Sequence, residues 1–482
     1  MTQSKRRPTP LPGLSGKTLA VLYIAAATLP MLAVLTSKIG PAGALSELGT
    51  AFALTASALL FLQFLSSGRY ESLSGQVGID RTMGFHRIAA YALLVFALLH
   101  PLSYSADTLL VDPIAAWHRL TGMLASNRLR TGVLAIAGLI VIIGVALIRS
   151  RPFIRYEYWR VSHGLLAITV AGLTLHHALV SGTYSAELSL RAVWFLFAIV
   201  ALVAIGFVYI VRPWRMWREN WQVERVSAIA EGVWEMILRG PDTTRFRFRA
   251  GQFIWMTLAP NRPPFHDHPF SIASASADLP RLRLVIRACG DCTNGFGRIE
   301  EGTRVAIDGP HGSFVLPRGK TPVIMIGGGV GIAPLLGILE EAAVNKDRRS
   351  FRLLYAARNP SALAGVERLR ALQSRLDLSL HCLVDELAGE SGYTTGPLRG
   401  EHIAEALRGT QPENVMALVC GPPQMMEVAT DTLLAAGVPA SAIRYERFDY
   451  AAGRGRLDRA RRREALAVFL ALLAAMAAFS LR

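Results

Sequence analysis

GFHRIAAYALLVFALLHPL, residues 84–102, and YWRVSHGLLAITVAGLTLHHALV, residues 158–180, decide how this chain is read. Both are apolar and long enough to cross a bilayer as helices, which takes about 20 residues. The first carries His86 and His100; the second carries His163 and the pair His176–His177. An ionisable side chain in such a segment is costly to bury and points to function. His86 and His100 lie 14 positions apart, close to four helical turns. They therefore share a face, about 21 Å apart at ~1.5 Å per residue. Two helices that each offer an upper and a lower imidazole can hold two stacked metal centres. Imidazole on both faces of a haem iron is one common form. Satisfied core histidines would explain one such residue better than four at matched depths.

Around these two stretches the chain divides sharply. It has 482 residues, 52% hydrophobic and 18% charged. The first ~210 residues are a series of apolar runs, and the middle reads as a soluble α/β protein. Met1–Lys17 is a basic, proline-containing tail with no signal-peptide cleavage pattern. Spans are expected near 18–36, 47–66, 84–105, 131–149, 158–181 and 191–211. The 67–83 loop carries Arg69 and Arg81, the 150–160 loop Arg151, Arg155 and Arg160, and the exit RPWRMWR (212–218) three more, so these face the cytoplasm, although Arg119, Arg128 and Arg130 fall in the outer 106–130 loop. His86 and His163 then lie at inner depth, and His100 with His176 or His177 at outer depth. Spacing leaves the last choice open. A straight helix favours the 14-residue step to His177, whereas His176 is turned away by roughly 140°.

From Gln222 the pattern changes to short alternating strands with Gly/Pro/Asp turns, a small β-barrel to about Leu316. From Thr321 strands alternate with helical runs, as in a parallel doubly wound domain. A basic stretch, 454–463, then precedes the apolar run ALAVFLALLAAMAAFSL at 465–481, which reads as a seventh span. The expected division is tail 1–17, membrane helices 18–211, barrel 222–318, α/β domain 319–450, and a C-terminal membrane helix within 451–482.

The net charge of +16 does not indicate nucleic acid. Basic residues gather beside the apolar runs, and no basic face interleaved with aromatics is visible. The four cysteines, Cys289, Cys292, Cys382 and Cys420, all lie in the soluble part. Cys289 and Cys292 have a redox or zinc spacing, but no second pair completes a zinc site.

GGGVGIAP (327–334) sits between a strand and a helix. Such a turn lets the backbone approach a pyrophosphate at a helix N-terminus, although tight packing gives the same pattern. HPFSIAS (268–274) and RACGDCTNGFG (287–297) could hold a flavin ring and its phosphates. Together with DGPHGSF (308–314) and CGPPQMM (420–426), these motifs follow the order of the NADPH oxidase and ferric reductase superfamily, whose histidine pattern the two spans also resemble. The likeness covers roughly 84–450 and is strongest to a bacterial NADPH oxidase.

That resemblance implies FAD, NADPH and two haem b groups. NADPH would reduce FAD, and single electrons would cross the membrane to oxygen, giving superoxide, or to a Fe(III) chelate. Carried over by motif, His268, Pro269, Phe270 and Ser271 hold FAD, with Arg287 and Thr293 on its diphosphate. Gly327, Gly328, Gly329, Gly331 and Pro334 line the NADPH diphosphate, and Arg358 meets its 2′-phosphate. Cys420, Gly421 and Pro422 flank the nicotinamide, and Phe448 stacks on the flavin. His86 and His163 ligate the inner haem. His100 and His176 ligate the outer one, 13 residues being the superfamily's common spacing, with His177 as the alternative. Three features depart from the pattern: 34 residues follow Phe448, Cys292 replaces a customary tryptophan, and Tyr104 replaces a histidine of the animal oxidases. A multi-pass protein of the plasma (inner) membrane is expected, bounded by lipid, with its dehydrogenase part cytoplasmic. No regulatory motif is visible, so no obligatory protein activator is expected.

Overall fold

The computed structural model describes residues 13–67, 70, 75–149, 156–258, 267–289, 293–386, 392–447 and 453–482. They form two compact units, one of 14–74, 81–211 and 462–482, the other mainly of 212–461.

The first unit is helical: α1 (Gly16–Leu35), α2 (Ala44–Leu62), α3 (Ile79–Leu109), α4 (Pro113–Ala125), α5 (Arg130–Leu147), α6 (Tyr156–Val180) and α7 (Leu188–Gly206). Runs of Leu and Ala favour helix, and in lipid a helix pairs the backbone groups that would otherwise be left unsatisfied. Ser15 caps α1, its hydroxyl accepting from Thr18 N at 3.2 Å. Asp112 caps α4, accepting from Ile114 N and Ala115 N, both at 3.0 Å, with Pro113 opening the helix. This short α4 lies in what the sequence presents only as a loop. Six of these helices, all but α4, are long and apolar enough to cross a membrane. Their outward residues are apolar, such as Leu202 (65% exposed) and Val203 (66%). Water would not favour that surface and lipid does. α2 is the most enclosed span, with Ala51, Leu59 and Phe61 in the core. Phe52 stacks on Phe96 of α3 at 5.7 Å.

In the second unit, α8 (Arg212–Arg218) follows a π-helical turn, Phe207–Val211. Strands β1 (Trp221–Ala230), β2 (Val233–Arg239), β3 (Phe253–Leu258), β4 (His268–Ser271), β5 (Arg281–Arg287) and β6 (Arg304–His311) form one sheet in the order β4-β3-β6-β1-β2-β5. The named pairings are antiparallel, and the interior holds Trp221, Met236, Ile254 and Leu284. Arg212 makes an ion pair with Asp308, which also pairs with His311, so the first residue of α8 is tied to β6.

The second sheet is parallel: β7 (Val323–Gly328), α9 (Ile332–Val344), β8 (Phe351–Ala357), α10 (Val366–Leu372), β9 (Leu378–Val384), β10 (Thr394–Thr395), α11 (Gly400–Leu407), β11 (Met416–Cys420), α12 (Pro423–Ala435) and β12 (Ile443–Glu446). Its order is β10-β9-β8-β7-β11-β12. The direction of winding reverses between β7 and β11, and in open parallel sheets ligands bind outside the strand ends at that reversal.

The last helix, α13 (Arg456–Ser480), buries Phe469, Leu472, Met476 and Phe479 in the core of the helical unit. Phe469 stacks on Phe85 at 5.7 Å. By length and composition α13 is the seventh helix able to cross a membrane. Beyond it, Arg482 donates to the buried carboxylate of Glu47 at 2.9 Å and to Tyr184 Oη at 2.7 Å. Tyr184 in turn donates to Glu47 at 2.8 Å.

Candidate functional site

The histidines of α3 and α6 are held differently. His86 Nδ1 lies 3.0 Å from Ser66 Oγ, and His100 Nδ1 lies 2.9 Å from the Gly49 carbonyl oxygen. Tying one ring nitrogen fixes orientation and leaves the other for a metal. On α6, the Nδ1 atoms of His163 and His177 are buried with no hydrogen-bond partner. His86 is close enough to His163, and His100 to His177, for each pair to interact electrostatically. His100 and His177 line a single cavity of about 620 Å³, together with Thr50, Tyr104, Arg119 and Trp194. The edge of the His177 ring reaches within 2.7 Å of where a Cβ on Gly132 would stand, so only glycine admits it there. His176 is exposed, and its Nδ1 is 3.3 Å from Thr131 Oγ1. The structure thus brings His177, not His176, to His100.

Orphaned buried nitrogens, tethered partners and an apolar cavity fit a flat metal macrocycle held by axial imidazoles. Among the described residues, no group of three or more His, Cys, Asp or Glu could hold a bare metal ion.

The soluble motifs meet at the reversal of the parallel sheet. The glycine turn ends β7, and Cys420–Pro422 ends the neighbouring β11, with Cys420 paired to Gly327. A Cβ on Gly331 would collide with the Cys420 carbonyl, and one on Gly328 would come within 2.7 Å of Pro422. Packing therefore accounts for these two glycines. Gly329 differs: its φ is +53° and nothing lies within 4 Å of a Cβ placed there. The first turn of α9 beyond it has no side-chain cap, and its leading N–H, on Ile332, donates back to the Gly329 carbonyl. Pro334, the third residue of that helix, is buried.

Cys420 is 3% exposed, and burial, with the Glu446 carboxylate adding to it, pushes its thiol well up. It is a neutral thiol at physiological pH. Glu446 lies opposite it in register on β12 and is itself buried. Glu446 was not assigned a role from the sequence, although it stands two residues before Phe448. Phe448 lies outside the described residues, as do Gly290, Asp291 and Cys292.

In the barrel, β4 carries His268, Pro269, Phe270 and Ser271 beside β3, and Phe270 packs on Phe296 at 5.9 Å. Arg287 ends β5 and is exposed. The Thr293 hydroxyl is occupied locally: it accepts from Cys289 N at 2.7 Å and donates to Cys289 O at 2.8 Å. These two bonds close the turn on itself. Arg358 follows β8 and is highly exposed.

Three sequence families match this chain in order. The ferric reductase like transmembrane component covers 52–174, an FAD-binding domain 218–315, and an oxidoreductase NAD-binding domain 325–431. This is an NADPH oxidase and ferric reductase architecture. The chain belongs to that superfamily.

Its curated relatives match through the reductase part. The propane 2-monooxygenase reductase component of Rhodococcus jostii is 26% identical over 47% of this chain and 62% of its own length. A probable dihydroorotate dehydrogenase B (NAD(+)) electron transfer subunit of Thermococcus kodakarensis is 30% identical over 46% of this chain and 84% of its own. The chain spans less than two thirds of the length of the first propane and toluate oxygenase reductases it matches. Among solved structures, a flavohemoglobin from Malassezia yamatoensis is 18% identical, covering 76% of this chain and 98% of its own, with a TM-score of 0.45. A ferredoxin NADP+ reductase from Neisseria gonorrhoeae is 23% identical over 47% and 97%, with a TM-score of 0.40. The superfamily member described here thus joins a ferric-reductase-like transmembrane component to FAD- and NAD-binding oxidoreductase domains.

Proposed function

We propose that the chain is a plasma-membrane NAD(P)H oxidase that moves electrons from a cytoplasmic coenzyme to oxygen outside, giving superoxide. The observation that carries this reading is the cavity shared by His100 and His177, set on two helices that also carry His86 and His163. A bound FAD would supply the conversion of a two-electron hydride donor into single electrons, and b-type haems would supply a one-electron relay. His86 and His163 would hold the inner haem, His100 and His177 the outer. Ser66 and Gly49 fix the rings of His86 and His100. The outer cavity is walled mostly by apolar side chains, with Thr50, Tyr104 and Arg119 among its polar ones.

In the reductase part, His268 to Ser271 would hold the flavin and Arg287 its diphosphate. Gly329 and the first turn of α9 would take the coenzyme diphosphate. Cys420, buried and neutral, would flank the nicotinamide without adding charge against hydride transfer, with Gly421 and Pro422 shaping the same wall. The arginine-rich loops support a cytoplasmic reductase. A Fe(III) chelate is the second acceptor considered, because Tyr104, 3.0 Å from Thr50 Oγ1, stands where animal oxidases carry a histidine.

The test uses purified full-length protein with NAD(P)H as the only reductant. Low-spin haem bands appearing on addition, with superoxide released in air, support the reading. Haem reduced by dithionite alone would break the link to the reductase. Fe(III) reduction without superoxide would assign the second acceptor.

A further inference from the structure

The adenosine end of the coenzyme crevice is crowded by carboxylates. In a doubly wound sheet, the loop after the second strand meets the adenosine ribose. Here that strand is β8 and the loop opens with Arg358, Asn359, Pro360 and Ser361. Arg358 is the group expected to select a 2′-phosphate, but it is already engaged. Its Nε donates to Glu386 Oε1 at 3.2 Å. The Glu386 N–H donates to the Arg358 carbonyl at 2.9 Å, so the backbone itself holds this acid beside the guanidinium.

The other donors in the loop face a second acid. Asn359 Nδ2 and Ser361 Oγ both donate to Glu231 Oε2, each at 3.1 Å. Glu231 sits in the turn between β1 and β2, and its N–H donates to the Ser361 carbonyl at 2.9 Å. Asn359 is fixed further, its Oδ1 accepting from Ala362 N at 2.9 Å as the cap of a short helical turn. Three side chains that could bind a phosphate are therefore each turned to a carboxylate.

The chemistry of the two coenzymes differs at this point. The 2′-phosphate of NADPH is a strong acceptor carrying up to two charges. To reach Arg358, Asn359 and Ser361 it must displace two carboxylates and then lie beside them. The 2′-hydroxyl of NADH is also a donor, which a carboxylate accepts directly. We propose that Glu231 and Glu386 set the coenzyme choice, so that the site uses NADH at least as well as NADPH despite Arg358. The inference rests on the crevice being the NAD(P)H site of the proposed oxidase. Arg358 and Glu386 are 77% and 63% exposed, so the effect is several-fold rather than absolute, and salt weakens it.

The experiment measures anaerobic flavin reduction in full-length protein with each coenzyme, and binding of 5′-AMP against 2′,5′-ADP by calorimetry. The wild type is expected to reduce its flavin with NADH at a kcat/KM equal to or above that with NADPH. E231Q/E386Q is expected to move the ratio toward NADPH by roughly tenfold, with a matching gain for 2′,5′-ADP and a smaller gain at high salt. R358Q is expected to move it the other way. A wild-type preference for NADPH, or an E231Q/E386Q ratio equal to the wild type's, would overturn the proposal and leave the oxidase reading intact. If neither coenzyme reduced the flavin or bound through its adenosine half, the crevice reading would fall first and this inference with it.

Discussion

The helical unit and the reductase unit carry their chemistry in opposite ways. In the bundle it rests on single side chains held at depth, four imidazoles among leucines and alanines. In the reductase it rests largely on backbone, on turns whose glycines let strands, helices and a coenzyme approach closely. A side chain on a helix turns by about 100° with each residue, so an error of one position removes it from the site. A glycine turn between a buried strand and a helix cannot slide without unpairing the sheet. The bundle should therefore fail at particular residues with its fold intact, and the reductase should fail through its packing.

The largest effect is expected at the outer imidazoles. His177→Ala should remove one of two haems from the purified protein, because its ring shares a cavity with His100. His176→Ala should retain both, since that ring is exposed beside Thr131. Haem-to-protein ratio measured by pyridine haemochrome decides between them. Loss of haem from the His176 variant alone would reverse the assignment and break the contrast of a site set by one residue's rotation.

A smaller effect is expected where the bundle is closed by charge. Glu47 is 1% exposed and meets Arg482, Tyr184 and the Ala42 N–H. Arg482→Gln would strand a buried carboxylate, at a cost of about 3–5 kcal/mol. Glu47→Gln combined with Arg482→Gln should recover much of that loss, since no bare charge is left. Thermal unfolding in detergent reads both. Equal melting of the single variant and the wild type would show that α13 is held by its apolar face alone.

The same contrast explains what the sequence made legible. The order of motifs in the reductase foretold an antiparallel sheet followed by a parallel one, and the apolar runs foretold the spans. Residue-level roles were harder. Superfamily spacing pointed to His176 and straight-helix periodicity to His177, and the helix turns His177 toward the cavity of His100. Helix α4 was hidden because a 13-residue amphipathic segment between spans looks like a loop. Thr293 reads as a phosphate ligand, and its bonds to the Cys289 backbone could not be read from the sequence. Glu446 and the Glu47–Arg482 pair were missed because their partners are remote in sequence. A lone carboxylate within an apolar helix was the available signal for Glu47.

The smallest effect separates two explanations of one motif. In the glycine turn, Gly331 is pressed against the Cys420 carbonyl, while Gly329 faces open space. Gly331→Ala should cost about 1–3 kcal/mol by forcing β7 and β11 apart. Flavin reduction should then fall as the domain loosens, with haem content unchanged. Gly329→Ala meets nothing, so its penalty is the strained φ alone, about 1 kcal/mol. Its methyl group would stand where a diphosphate must approach, so KM for NAD(P)H should rise while melting barely moves. Stopped-flow reduction beside a melting curve for both variants tells packing from recognition. If Gly329→Ala left KM unchanged, the open side of the turn would not be where the coenzyme binds, and packing at Gly328 and Gly331 with the positive φ at Gly329 would account for the glycines.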